Sequence, residues 1–168
     1  MKKFLIASIF LVSTVSLAAE NISDVFKNSN KNKLFLQVEI ALAESQAELG
    51  IIPTWAAMNI KKSGNELILD QDEINRENKI VKHSLVARLN VWKQHLDKDS
   101  AEYLHYGATT VDIWDTILIL QINKSIDLLI EDLVEIEDYL LKLTKDNIDT
   151  YMAGRTLGQH ALPITFGK

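Results

Sequence analysis

The chain has 168 residues, no cysteine, and 23 acidic against 18 basic side chains, for a net charge of −5. This length supports one ordinary domain with a sizeable core. The acidic balance, with no basic stripe, argues against nucleic acid as a partner, and the missing cysteines exclude disulfides, thiolate metal sites and a cysteine nucleophile.

The N-terminus is read first. Met1-Lys2-Lys3 is a basic start, Phe4 to Val15 is a nearly unbroken apolar run, and Ser16-Leu17-Ala18-Ala19 offers a small-residue cleavage site. This layout predicts a bacterial secretory signal over residues 1–19, and hence a periplasmic or secreted protein. The apolar run is short for a bilayer span, so no stable membrane span is expected after cleavage. A buried N-terminal helix and an uncleaved anchor are the competing readings.

Beyond the signal the pattern is helical. Leu34, Val38, Ala41, Leu42, Ser45 and Leu49 share one helical face, with Ser23 or Asn30 as the cap and Gly50 as the stop. Pro53 to Met58 predicts a short second helix with proline in its first turn. Ser63-Gly64-Asn65 is a turn signal, and Glu66 to Asp70 fits either a helix or a brief strand. Asp70 to Lys79 is a polar helix, His83 to Leu96 returns to helical periodicity, and Asp97 to Ser100 is a loop.

Asp112 to about Lys145 contains neither glycine nor proline. Leu118, Ile122, Ile126, Leu129, Leu133, Ile136, Leu140 and Leu143 step by fours and threes, and further apolar residues widen that seam. A helix so long and so broadly apolar belongs inside a multi-helix bundle. The other predicted helices are too short to cover it, so either several copies pack together or the rest of the bundle is missing. Residues 151–163 are expected as a loop, and Ile164 to Lys168 as the opening of another helix. The fold class is all-α: a small helical domain over residues 20–111, then the incomplete beginning of a bundle over 112–168.

Two polar segments carry the chemistry. In the first, Gly107 permits a sharp turn and Thr109-Thr110 places two hydroxyls before the long helix, whose first amides carry partial positive charge. A carboxylate could be held there, although plain capping by Thr109, Thr110 or Asp112 explains the same residues. In the second, Arg155, Thr156, Gln159 and His160 crowd into six residues between two glycine-containing turns. Arginine holds carboxylates bidentately and glutamine adds an amide donor. The structural alternatives are an Arg155 pair with Asp112 or Asp115, and a packed His160. The four histidines show no metal-ligand spacing, so neither metal nor cofactor is expected.

These segments also carry a resemblance. Tyr-x-His-x-Gly-Ala-Thr-Thr-x-Asp-Ile-x-Asp-Thr (Tyr103–Thr116), followed by Gly-Arg-Thr-x-x-Gln-His-Ala-x-Pro-x-Thr-Phe-Gly (Gly154–Gly167), resembles two of the three signature regions of the fumarase/aspartase superfamily. The similarity is closest to its adenylosuccinate lyase and carboxymuconate cycloisomerase branch. Val38-Glu-Ile-Ala-Leu-Ala-Glu-Ser-Gln-Ala-Glu-Leu-Gly50 is similar to an early helix of these lyases. Relatives are substantially longer, so the resemblance implies an N-terminal portion.

It further implies a homotetramer whose bundle builds each site from three subunits. The chemistry implied is elimination of fumarate, or cycloisomerisation, on a di- or tricarboxylate. By resemblance Thr109 and Thr110 contact substrate carboxylates, Asp112 supports the turn, Thr156 and Gln159 line the opposite side, and Arg155 orders its loop. His83, in Lys82-His-Ser-Leu-Val-Ala87, sits where adenylosuccinate lyases carry a functional histidine, with Ser84 in place of the expected acid; a surface histidine on an amphipathic helix is the preferred alternative.

Two departures stand out. Leu157 occupies the place of the proton-transferring histidine of adenylosuccinate lyases, a histidine that cycloisomerase relatives also lack. A Ser-Ser-x-Met-Pro-x-Lys-x-Asn type loop, which supplies the catalytic serine, is absent from the chain; Ser45, Ser63, Ser84 and Ser125 lack its neighbours. The expectation is a chain inactive alone, with a non-catalytic helical module for carboxylates or a partner helix as the alternative.

Overall fold

A computed structural model describes residues 21–167, and the expected signal over residues 1–19 lies outside them. The elements run α1 (Ile22–Val25), α2 (Asn28–Glu48), α3 (Thr54–Glu66), α4 (Gln71–Val81), α5 (Ser84–Lys93), α6 (Lys98–Ala101), α7 (Thr110–Asp146), β1 (Tyr151–Thr156) and β2 (Gln159–Thr165). The class is helical, with a single hairpin among the described residues. Two compact units divide between Ile122 and Asn123, inside α7.

In the first unit α2 is buried on more than one side. Phe35, Glu39, Ile40 and Ala43 are enclosed, while Ala41 and Ser45 of the expected face are exposed. The packing explains the shift. Phe35 meets Trp92 of α5 at 6.0 Å and Trp114 of α7 at 6.1 Å between ring centroids, so two helices rather than one claim the apolar surface of α2. Arg88, itself buried, ties the same three helices. Its Nε donates to Asn32 Oδ1 at 2.9 Å, its Nη1 donates to the Ser84 carbonyl at 3.0 Å, and its guanidinium lies over Trp114.

Gly50 stops α2 as expected. With φ +70 it lets its own amide reach the Ala47 carbonyl and the Ile51 amide reach that of Gln46, the two bonds of a Schellman close. The expected caps are corrected: Asn21 caps α1, α2 starts without a side-chain cap, and Asn30 instead donates to the Val25 carbonyl. The turn expected at Ser63-Gly64-Asn65 lies within α3. Glycine serves close packing there, because Trp92 occupies the space of a side chain. Glu66 ends α3 and Leu67 is extended. Asp97, expected in a loop, caps α6 by accepting the Ser100 amide.

The second unit departs more from expectation. Residues 151–165, read as loop and helix start, form an antiparallel hairpin closed by the two-residue turn Leu157-Gly158. Both turn residues have positive φ, 49 and 76, the combination that matches the twist of the two strands. The chain then returns to the helix end, where the Phe166 amide bonds the Thr150 carbonyl and the Gly167 amide that of Asn147. Along α7 in this unit, Ile126, Leu129, Leu133, Ile136, Leu140 and Leu143 are 45–61% exposed. No helix among the described residues is long and apolar enough to cross a membrane.

Candidate functional site

The start of α7 is built by a local exchange of hydrogen bonds. Thr109 precedes the first helical residue, and its amide donates to Asp112 Oδ2 at 2.9 Å, while the Asp112 amide returns to the Thr109 carbonyl at 3.1 Å. This is the carboxylate half of a capping box. Asp112 therefore acts as a cap, and the Thr109 hydroxyl makes no hydrogen bond among the described residues. The Asp112 amide, satisfied by the Thr109 carbonyl, makes no demand on the Thr109 hydroxyl.

His83 joins this site across 27 residues of sequence. It caps α5, its Nδ1 accepting the Val86 amide at 3.3 Å, and its Nε2 stands 3.4 Å from Thr110 Oγ1. An Nδ1 that accepts an amide holds no proton, so the neutral ring carries hydrogen on Nε2 and offers it to Thr110. The Thr110 hydroxyl, having accepted, has its own hydrogen to donate outward. His83, Thr109 and Asp112 are exposed and Thr110 half-buried. The structure thus brings together His83, Thr109, Thr110 and Asp112: two hydroxyls, an imidazole and a helix N-terminus, a set suited to an anionic oxygen.

The other three predicted residues lie on the hairpin of the second unit. Thr156 pairs with Gln159 and Arg155 with His160. Directly opposed residues share a face, and successive residues alternate. Thr156 and Gln159 therefore present a hydroxyl and an amide on one face, with Arg155 and His160 on the other. All four are exposed. Leu157 stands at the tip, 99% exposed. No group of three or more His, Asp or Glu side chains converges as a metal site among the described residues. A cleft of about 330 Å³ between α2, α3 and residues 67–69 contains none of the predicted residues.

Two partners escaped the sequence reading. Glu39 Oε1 stands 2.7 Å from Nδ1 of His105, and Gln46 Nε2 donates to the Tyr106 carbonyl at 2.6 Å. Burial pushes the Glu39 carboxyl up to about 8. Burial chiefly, and Lys93 secondarily, push His105 down, against the opposing pull of Asp112. The available signal was the seven-residue spacing of Glu39 and Gln46, which sets both on one face of α2.

Comparison with known proteins agrees with the two-segment resemblance. Residues 13–168 match the family described simply as Lyase. Adenylosuccinate lyase of Methanocaldococcus jannaschii is 38% identical over 143 residues, 85% of this chain and 31% of that protein. N-acetyl-S-(2-succino)cysteine lyase of Enterococcus italicus is 42% identical over 132 residues, 79% of this chain and 29% of that one. The crystal structure of fumarate lyase from Mesorhizobium sp. BNC1 superposes with a TM-score of 0.82 at 34% identity, over 87% of this chain and 34% of the other. The chain spans about a third of the length of these relatives.

Proposed function

We propose, since the chain belongs to the lyase family of the fumarase/aspartase superfamily, that it is the N-terminal, carboxylate-holding part of an enzyme acting on a succinyl-type substrate. The names of both similar enzymes contain a succinate unit joined to a leaving group. The observation that carries the reading is the convergence of His83 on Thr110 at the start of α7. The Thr109 and Asp112 amides are both satisfied locally, by the Asp112 carboxylate and the Thr109 carbonyl, which leaves the Thr109 and Thr110 hydroxyls for a ligand.

The chemistry is anti β-elimination, or the related cycloisomerisation. A base removes the proton beside a carboxylate, negative charge grows on that carboxylate as the aci form, and an acid assists the leaving group. Hydroxyls and unpaired helix amides stabilise the growing charge because they are oriented beforehand. Thr156 and Gln159 supply a further hydroxyl and amide from another copy in a homotetramer, and Arg155 braces the hairpin. The broad apolar face of α7 supports such an assembly, either with further copies or with the helices that relatives carry beyond this region.

The chain alone binds a dicarboxylate without turning it over, since no segment here supplies the serine loop. Calorimetry with succinate and fumarate tests the first half, and release of fumarate, followed by ultraviolet absorbance, tests the second. Absence of saturable binding rejects the carboxylate site, and turnover by the purified chain rejects its inactivity. Leu157 favours a second reading, a non-catalytic carboxylate- or partner-binding module, because a leucine transfers no proton. A hetero-oligomer that forms without ligand affinity supports that alternative. Export through the segment before residue 20 is part of the proposal and is tested by fractionating cells.

A further inference from the structure

Helix α2 grips the segment before the candidate site at two points, His105 through Glu39 and Tyr106 through Gln46. Residues 39 and 46 are two turns apart, so both grips come from one face. Around them the backbone is left-handed, with φ 62 at His105 and 68 at Gly107. A non-glycine residue in that region is held there by its surroundings. Two residues beyond Gly107 comes Thr109, whose amide is fixed by Asp112.

Glu39 is fully buried, and its second oxygen has no hydrogen-bond partner. Among the described residues, the ionisable group within hydrogen-bond distance of it is His105. His105 in turn faces Lys93 from the last turn of α5 and Asp112 from the first turn of α7. Burial disfavours charge on both members of the pair. The favoured state at neutral pH is a carboxylic acid whose O–H donates to Nδ1, with the ring proton on Nε2.

We propose that the Glu39–His105 pair is a proton-operated latch on the loop that presents Thr109 and Thr110. With the proton in place, α2 holds His105 and Gly107 left-handed. Its loss leaves a carboxylate without water. The ring can move its own proton to Nδ1, but the second carboxylate oxygen stays buried without a donor, and hydrating it requires the loop to open. Glu39 is thus a positioning residue. What the latch does to a ligand rests on the carboxylate reading above, whereas the latch itself is measurable without one.

The experiment is amide exchange by NMR on the isotope-labelled full chain between pH 6.5 and 9, with the ring nitrogens of His105 followed in the same samples. After correction for intrinsic rates, protection at residues 105–110 is expected to lie below that of α3 and α5 throughout and to fall about tenfold across this range. The His105 ring signals shift at the same midpoint. Glu39→Gln, which does not titrate, abolishes the transition. Flat protection in the native chain, the same midpoint in E39Q, or residues 105–110 as well protected as α3 and α5 throughout overturns the proposal. Should E39Q fail to fold, His105 ring signals that do not change across the range in the native chain overturn it. Succinate titrations on the same samples separate the two ideas: a chain that never binds succinate refutes the carboxylate reading and leaves the exchange result to decide the latch.

Discussion

Gly64 lies against the indole of Trp92 so closely that a β-carbon on it would stand 2.6 Å from Cζ2, and 2.8 Å from Cδ1 of Ile40. Trp92 is fully buried and its Nε1 donates to Ser63 Oγ at 3.0 Å, so the ring has no direction in which to retreat. Gly64→Ala, which would gain helix propensity in an open setting, is expected to destabilise the first unit by about 1–3 kcal/mol through overpacking. Denaturant unfolding followed by tryptophan fluorescence checks it, and an alanine variant as stable as the native chain refutes the contact.

His83 serves two neighbours, and substitution separates them. His83→Ala removes the acceptor for the Val86 amide and is expected to cost about 1 kcal/mol. His83→Asn retains a capping oxygen but not the reach to Thr110, so stability stays near native while succinate affinity falls about tenfold. Paired unfolding and calorimetry read the difference. Equal affinities for native and H83N chains would remove His83 from the site.

Periodicity and glycine placement made the helices legible: Gly50, with positive φ, ends α2 where its pattern stops, and the unbroken apolar seam marks α7. The failures share a cause. Glycine at 64 signals a turn in isolation, and only the indole across the interface turns it into a packing requirement. The hairpin at 151–165 has no alternating apolar pattern, because almost all of its residues are exposed, so a period-two signal never arises. At the candidate site, the Thr109-Thr110 hydroxyls and the capping alternative for Asp112 could be read directly. The arrival of His83 and the grip of Glu39 could not, since both depend on contacts between residues 27 and 66 positions apart.

Leu157 occupies the first place of a turn that requires positive φ, a conformation unfavourable for a branched aliphatic side chain. With 99% of its surface in solvent, it gains nothing from packing in return. Leu157→Asn is expected to stabilise the hairpin by about 0.5–1 kcal/mol, because asparagine tolerates the left-handed region. Exchange protection of the β1–β2 amides provides the measure. No gain in protection would mean that the leucine is held by a partner.

The Glu39 carboxyl binds its proton more tightly in the folded chain, at about 8 against 4.5 when free. Its contribution to stability is therefore complete below pH 4.5, declines as pH rises, and is gone above about 8. His105 acts oppositely, since its lowered affinity for a proton weakens the folded state below its ordinary value of 6.5. Between 6.5 and 8 only the Glu39 effect operates, and stability should fall by roughly 2 kcal/mol over that interval. Glu39→Gln should flatten this limb in urea titrations run at several pH values. A native chain whose stability is level across the window would show that burial does not hold the proton.

Along α7 past Ile122, Leu129, Leu133, Ile136 and Leu140 are each about half exposed, and their spacing aligns them along one seam. Apolar surface contiguous over several turns is not stable in water unless something covers it. The chain is expected to self-associate, and sedimentation should show assemblies whose size follows concentration. Leu133→Glu with Leu140→Glu puts two charges in the middle of the seam and should shift the distribution to monomer, at a cost to local helix stability no larger than about 0.5 kcal/mol, because neither leucine is packed within the chain. Helicity measured by circular dichroism separates dissociation from unfolding. If both native and doubly substituted chains sediment as monomers with equal helicity, the seam is not an interface, and the assembly proposed for the site loses its structural support.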